Sequence, residues 1–129
     1  MLNAIIKIFK HRAVGLKTNK NLVYTAMSKH CFYFRMHISK FVLEQQKVPL
    51  NPFMSFEYFL LDTVDRDLIR EANNNLVMKS NELWVFGSIS DGVMAEIKMA
   101  KDAKKIIKYF KIKESREIIE IREKEAVIE

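Results

Sequence analysis

A chain of 129 residues, of which 49% are hydrophobic, suits a single domain with an ordinary core, and its lone cysteine excludes an internal disulfide. Charged residues interrupt every apolar run, which excludes a membrane span of about 20 apolar residues, and no opening segment has the features of a secretory signal, so we expect a soluble cytoplasmic protein. The net charge of +6 lies mostly in residues 1–20, which hold five basic and no acidic residues; the remaining 17 basic and 16 acidic residues imply no nucleic-acid-binding face.

The first 20 residues, called the basic leader below, have the pattern of an amphipathic helix. In a helix, their apolar side chains share one side and their basic side chains lie mostly elsewhere. The apolar set is Leu2, Ile5, Ile6, Phe9 and Leu16, and the basic set includes Lys7, Lys10 and Arg12. Such a helix is able to pack on its own domain, dock on a partner or lie on an anionic membrane surface. We favour packing on the domain over a partner, and a partner over a membrane.

From Asn21 onward, strand patterns alternate with helix patterns. Residues 22–26 are rich in β-formers and end just before Ser28, a good N-cap, so they predict a buried strand followed by a helix that ends near Lys47. Residues 48–53 predict a short strand whose two prolines suit the edge of a sheet. A short helix is expected over residues 55–61.

The second half of the chain continues this alternation. A helix is expected from Thr63. Its predicted apolar stripe consists of Val64, Leu68, Ala72 and Leu76. The continuous apolar run 83–86 indicates a strand covered on both faces. A helix is predicted to begin near Val93, and residues 106–112 predict a fourth strand. The charged segment 114–129 predicts a closing helix.

Strands that alternate with helices favour a parallel sheet with right-handed crossovers. We therefore predict an α/β protein with a three-layer Rossmann-like fold, whose small, mainly parallel sheet of four to five strands is flanked by helices. Its predicted divisions are the leader (1–20), the domain (21–112) and a charged C-terminal helix (113–129).

Several common kinds of site are excluded by the residues present. The turn after the first strand, residues 27–30, contains no glycine, which excludes a dinucleotide fingerprint or a phosphate loop there. The three histidines have no recognised ligand spacing, so neither a metal nor a cofactor is expected. Cys31 is expected in the core.

The remaining candidate for chemistry is the loop 88–92 with the helix that follows it. In an open parallel sheet, ligands bind beyond the carboxyl ends of the strands, and this loop leaves such an end. Glu96 is predicted to border the buried side of the helix, within reach of a crevice. The alternative, which these residues alone favour, is a half-exposed glutamate paired with Lys98 or Lys101. On the preceding helix, Asn75 is expected on the apolar face, where its amide meets either loop backbone or a ligand.

Several short motifs in the second half resemble a known superfamily. They are Glu82–Gly87, Ser90–Gly92, Ala95–Glu96, Ala100 and Ile107–Phe110. Together they resemble the C-terminal half of the nucleoside 2-deoxyribosyltransferase-like superfamily, and most closely a small uncharacterised branch of it. The resemblance spans residues 21–112.

The resemblance implies a glutamate nucleophile that attacks the anomeric carbon of a nucleoside or nucleoside 5′-monophosphate and forms an ester, which water or another base resolves. It assigns this role to Glu96, a supporting carboxylate to Asp91, and an aromatic that positions the nucleophile to Tyr24. The residues expected to contact the substrate are Ser28, His30, Asn75, Ser88, Ser90 and Gly92. Asn74 or Asn75 stands where relatives often place an aspartate, and an amide cannot act as a general acid.

We therefore predict cleavage or transfer of an N-glycosidic bond, without a cofactor, by a protein that forms homo-oligomers. One alternative is a non-catalytic module that binds a nucleotide-like ligand. The other is an interaction protein that acts through its basic leader.

Overall fold

The computed structural model describes residues 1–55 and 63–129, and its centre is a five-stranded sheet in the order β2-β1-β3-β4-β5. The strands are β1 (Leu22–Met27), β2 (Val48–Leu50), β3 (Glu82–Phe86), β4 (Ile106–Ile112) and β5 (Ile118–Ile121). Neighbours among β1 to β4 pair in parallel, and β5 runs antiparallel to β4. The α-helices are α1 (Leu2–Ile8), α2 (Arg35–Glu44), α3 (Pro52–Ser55), α4 (Arg66–Lys79) and α5 (Asp91–Asp102).

Helices cover both faces of the sheet. Because side chains alternate along a strand, Tyr24 and Ala26 of β1 point to one face, and Val23 and Met27 point to the other. The first face packs against α4 and α5, and the second packs against α2 and the 3-10 turns that precede it. Every residue of β3 is buried, as expected for a strand with both faces covered. The structure confirms the predicted α/β class and its three-layer, Rossmann-like arrangement.

The two edges of the sheet differ in how well the sequence predicted them. β2 is a three-residue edge strand, which suits Pro49 because proline has no N–H to donate. The closing helix predicted for the last residues is wrong, since residues 118–121 form β5. Ile118 and Ile119 are β-branched and favour a strand. Arg116, with a φ of 70°, lies in the turn that brings this strand back against β4.

The side of α4 that faces the core differs from the predicted stripe. Ile69 and Val77 are buried, whereas Leu68 is 58% exposed. The predicted stripe was spaced every four residues, and such a spacing gradually rotates around the helix because one turn has 3.6 residues. A spacing that alternates between three and four residues stays on one side, as positions 69, 72, 73, 76 and 77 do. The placement predicted for Asn75 is therefore wrong. It is exposed, and its Nδ2 donates to the carbonyl oxygen of Glu71 at 2.8 Å.

The helix predicted after β1 forms in two parts, the 3-10 segment Lys29–Phe34 and then α2. Ser28 is the N-cap, as predicted, and its Oγ accepts the N–H of His30 at 3.3 Å. Cys31 is buried, as expected, beneath the loop that follows β3. Most of the short helix predicted over residues 55–61 lies outside the described residues.

The basic leader contains α1 and a 3-10 turn (Arg12–Gly15), and its residues 1–19 are all exposed. The expectation that the leader packs on its own domain is wrong, because α2, α4 and α5 already cover both faces of the sheet. Across the described ranges, no helix combines the length and the apolar character that crossing a membrane requires.

Candidate active site

A cavity of about 620 Å³ lies beside the carboxyl end of β1 and is lined mainly by residues of β1, α4 and α5. Small-molecule sites in proteins have volumes of roughly 300–1,000 Å³, and this cavity falls within that range. Open parallel sheets bind ligands at the carboxyl ends of their strands, which is where this cavity is found. This cavity is therefore the candidate active site.

Glu96 and Tyr24 form a hydrogen-bonded pair in the wall of this cavity. Tyr24 points from β1 toward α5, and Glu96 stands on α5 between the buried positions Val93 and Ile97. Tyr24 is fully buried, and its hydroxyl donates to Oε2 of Glu96. The strand pleat and the helix spacing thus bring one carboxylate and one phenol together.

The lysines considered as partners for Glu96 contact other carboxylates. Nζ of Lys98 lies 3.1 Å from Oδ2 of Asp102, and Lys101 pairs with Glu123. The alternative in which Glu96 is a surface ion-pair residue is therefore wrong. Its carboxylate accepts a hydrogen bond from the neutral hydroxyl of Tyr24, and among residues 1–55 and 63–129 no basic side chain forms an ion pair with it.

The electrostatic environment of the pair follows from its burial. Burial raises the pKa of Glu96 to about 7, although the hydrogen bond from Tyr24 lowers it. Burial also raises the pKa of Tyr24, and the neighbouring Glu96 raises it further, so the phenol stays protonated and remains a donor. A cavity carboxylate with a pKa near neutrality is typical of catalytic sites. A pKa near 7 lets Glu96 ionise close to neutral pH, and ionisation is required of a nucleophile.

The α4 wall of the cavity contributes Arg70, Asn73 and Asn74, which lie within one turn of the helix. Oδ1 of Asn73 is buried and has no hydrogen-bond partner within the described residues. Leaving a buried amide oxygen unpaired costs roughly 1–3 kcal/mol, so a ligand or water that donates to it stabilises the site. The sequence reasoning missed Asn73, although its spacing of four residues from both Ile69 and Val77 would have placed it on the core-facing side.

Three of the predicted substrate-contacting residues line the cavity, namely Ser28, Ser90 and Gly92. Ser90 is the N-cap of α5, and its Oγ accepts the N–H of Val93 at 3.3 Å. A Cβ built on Gly92 would meet nothing within 4 Å, so the backbone there is open to an approaching group. The cavity therefore has hydroxyls and exposed main chain near the start of α5, where the helix dipole favours negative charge.

Four predicted site residues are not among the lining residues in the described part of the chain. Asp91 is exposed in the first turn of α5, and Asn75 is exposed on α4. Oγ of Ser88 donates to Oε2 of Glu129 at 2.6 Å, and Nε2 of His30 lies 3.6 Å from Oε1 of that glutamate. Within the described lining, Glu96 is consequently the one carboxylate, without the second that the resemblance implied.

Fold and cavity together define an α/β domain with a cavity whose wall contains the hydrogen-bonded pair of Tyr24 and Glu96. Within residues 1–55 and 63–129, no three His, Cys, Asp or Glu side chains are grouped so as to hold a metal ion. The chain belongs to a family described as a domain of unknown function, DUF7768, whose model matches residues 24–110. No curated protein matches the chain significantly. The matched region includes Tyr24 and Glu96 and leaves the basic leader outside.

Proposed function

We propose that this protein cleaves or transfers the N-glycosidic bond of a nucleoside or nucleoside 5′-monophosphate, with Glu96 as the nucleophile. The observation that carries the proposal is the Glu96 carboxylate, raised in pKa by burial and held by Tyr24, in a cavity of nucleoside size. The motifs that resemble the nucleoside 2-deoxyribosyltransferase-like superfamily include this same glutamate.

The proposed reaction has two displacements. An ionised Glu96 oxygen attacks the anomeric carbon, the carbon–nitrogen bond breaks, and its electron pair leaves with the base, which takes a proton from water. The sugar is then held as an ester of Glu96 until water or a second base attacks the same carbon and releases the carboxylate. Tyr24 orients the attacking oxygen, and its hydrogen bond favours the ionised form of Glu96.

Basic side chains in the cavity wall offer contacts to the phosphate of a monophosphate. Lys29, Arg70 and Lys98 line the cavity, although Arg70 also pairs with Asp67 and Lys98 with Asp102. A hydrogen bond between a cationic side chain and a phosphate oxygen is stronger than one between neutral groups, which favours the monophosphate over the free nucleoside. The hydroxyl of Ser90, also in the lining, adds a neutral donor.

The test is chromatographic detection of free base after incubation with deoxyribo- and ribonucleosides and their 5′-monophosphates, with and without an acceptor base. We expect the parent protein to release base, and Glu96→Ala to lose more than about a thousandfold in rate. The matched control is Glu44→Ala, which removes an exposed glutamate at the end of α2 and should leave the rate unchanged. Absence of release by the parent across the whole panel would overturn the proposed reaction.

A second candidate is a module that binds the same ligands without turnover. It is favoured by the exposed position of Asp91 and by Asn73 and Asn74 in the α4 wall, since an amide cannot protonate a leaving base. Thermal unfolding with each compound separates the two candidates. A ligand-induced rise in melting temperature that persists in Glu96→Gln, together with no product from the parent, would establish the binding module.

A further inference from the structure

The basic leader presents apolar side chains to solvent. Leu2, Ile5, Ile6 and Phe9 are between 51% and 68% exposed, and α1 contains no buried residue. Exposing several large apolar side chains next to one another is uncommon on a protein surface that has no binding role. Val14, further along the leader, is 73% exposed.

The charges of the leader are all of one sign. Lys7, Lys10, Arg12, Lys17 and Lys20 are its charged side chains, and no acidic residue accompanies them. Around α1, Lys7 lies about 160° from Ile5, so positive charge and apolar surface occupy different sides of the helix. A short amphipathic helix followed by further basic residues suits a flat anionic surface with an apolar layer just beneath it.

We propose that the basic leader binds the surface of an anionic lipid bilayer, with its apolar side chains inserted at the headgroup boundary and its basic side chains among the lipid headgroups. A second copy of the chain is a less suitable partner, because a basic leader needs an acidic surface to bind. Outside residues 1–20 the chain has 17 basic and 16 acidic residues, so it carries no excess of negative charge. A nucleic acid would leave the apolar side exposed. An anionic bilayer satisfies the charge and the apolar side together.

The experiment is flotation of the full-length protein with vesicles of phosphatidylcholine alone, or of phosphatidylcholine with roughly one-third phosphatidylserine. We expect flotation with the anionic vesicles, little with the neutral ones, and weaker binding as salt rises and screens the charges. Lys7→Gln/Lys10→Gln/Lys17→Gln should lower the partition coefficient by about a hundredfold, since each basic residue near such a surface contributes about a factor of five.

The apolar side is tested by Ile5→Ser/Ile6→Ser/Phe9→Ser, which should lower the partition coefficient by at least about tenfold. The matched controls change residues of similar exposure on the domain. They are Met36→Ser/Leu43→Ser/Leu68→Ser for the apolar set and Lys40→Gln/Lys79→Gln/Lys104→Gln for the basic set.

Binding by both control variants at the level of the parent, with loss in both leader variants, would support the proposal. Absence of flotation with anionic vesicles, equal flotation with neutral ones, or equal loss in leader and control variants would overturn it. Sedimentation equilibrium of the parent and of the apolar leader variant gives an independent outcome. A change in oligomeric state between them, without vesicle binding, would mean that a second copy covers the leader.

Discussion

Replacing Glu96 with glutamine should stabilise the protein at neutral pH and leave it almost unchanged in acid. Burial raises the pKa of Glu96 from its ordinary value of 4.5 to about 7, so the folded state holds this proton more tightly than the unfolded state does. Between these two values the folded state binds more protons, and the free energy of unfolding falls as the pH rises. Above pH 7 the ionised carboxylate therefore weakens the fold by roughly 3 kcal/mol relative to its protonated form.

Glutamine cannot ionise, and its amide oxygen is still able to accept the hydrogen bond from Tyr24. We expect Glu96→Gln to be more stable than the parent by up to about 3 kcal/mol at pH 8, and the difference to shrink toward zero at about pH 4.5. The assay is urea denaturation of both proteins at several pH values across this range. Taking the difference cancels the titration of every other carboxylate, and Glu44→Gln controls for the loss of one exposed negative charge. A stability difference that does not change with pH would refute the proposed environment of Glu96.

Further predictions concern the partner of Glu96 and two glycines. Tyr24→Phe removes the hydrogen bond that lowers the pKa of Glu96. The acid limb of the pH–rate profile should therefore move above pH 7. An acid limb at the same pH as in the parent would contradict the role of Tyr24 in favouring the ionised glutamate. Gly87→Ala should lower the free energy of unfolding by roughly 1–3 kcal/mol, because Gly87 has a φ of 78° and an added Cβ would lie 2.7 Å from Sγ of Cys31. Adding Cys31→Ala to Gly87→Ala should recover part of this loss, as measured by urea denaturation. If nothing is recovered, the whole loss comes from the unfavourable φ of residue 87 and none from the contact with Sγ. Gly92→Ala should leave the free energy of unfolding unchanged or raise it by about 0.5–1 kcal/mol. The same substitution should reduce the ligand-induced rise in melting temperature. A rise equal to that of the parent would show that the ligand does not approach Gly92.

The sequence predicted the parts of the site that depend on local spacing. Glu96 borders the buried stripe of α5 because helix geometry alone relates it to Val93 and Ile97. Ser28 is the predicted N-cap because it stands just before the helical segment that follows β1. These positions required no knowledge of which other elements lie nearby.

The sequence did not predict the parts that depend on how elements meet. Asn73 lines the cavity in place of Asn75 because packing on the sheet buried the side of α4 that holds Ile69 and Val77, not the predicted stripe through Val64 and Leu68. Asp91 was expected beside Glu96, but at the first turn of α5 it is exposed to solvent. The last residues were expected to form a helix, yet the free edge of β4 offered them unpaired backbone groups and they form β5.

The sequence by itself determined the order of strands and helices from β1 to β4, the mainly parallel sheet and the position of Glu96 on its helix, because hydrophobic periodicity is a local property of the chain. The resemblance had assigned Tyr24 to Glu96, but only the tertiary structure brings this tyrosine, 72 residues away, within hydrogen-bond distance of the glutamate. Burial in that structure also raises the pKa of Glu96 to about 7. The tertiary structure also decided that the basic leader stays exposed. Burial and charge environment arise from contacts between distant segments, and no local pattern encodes them.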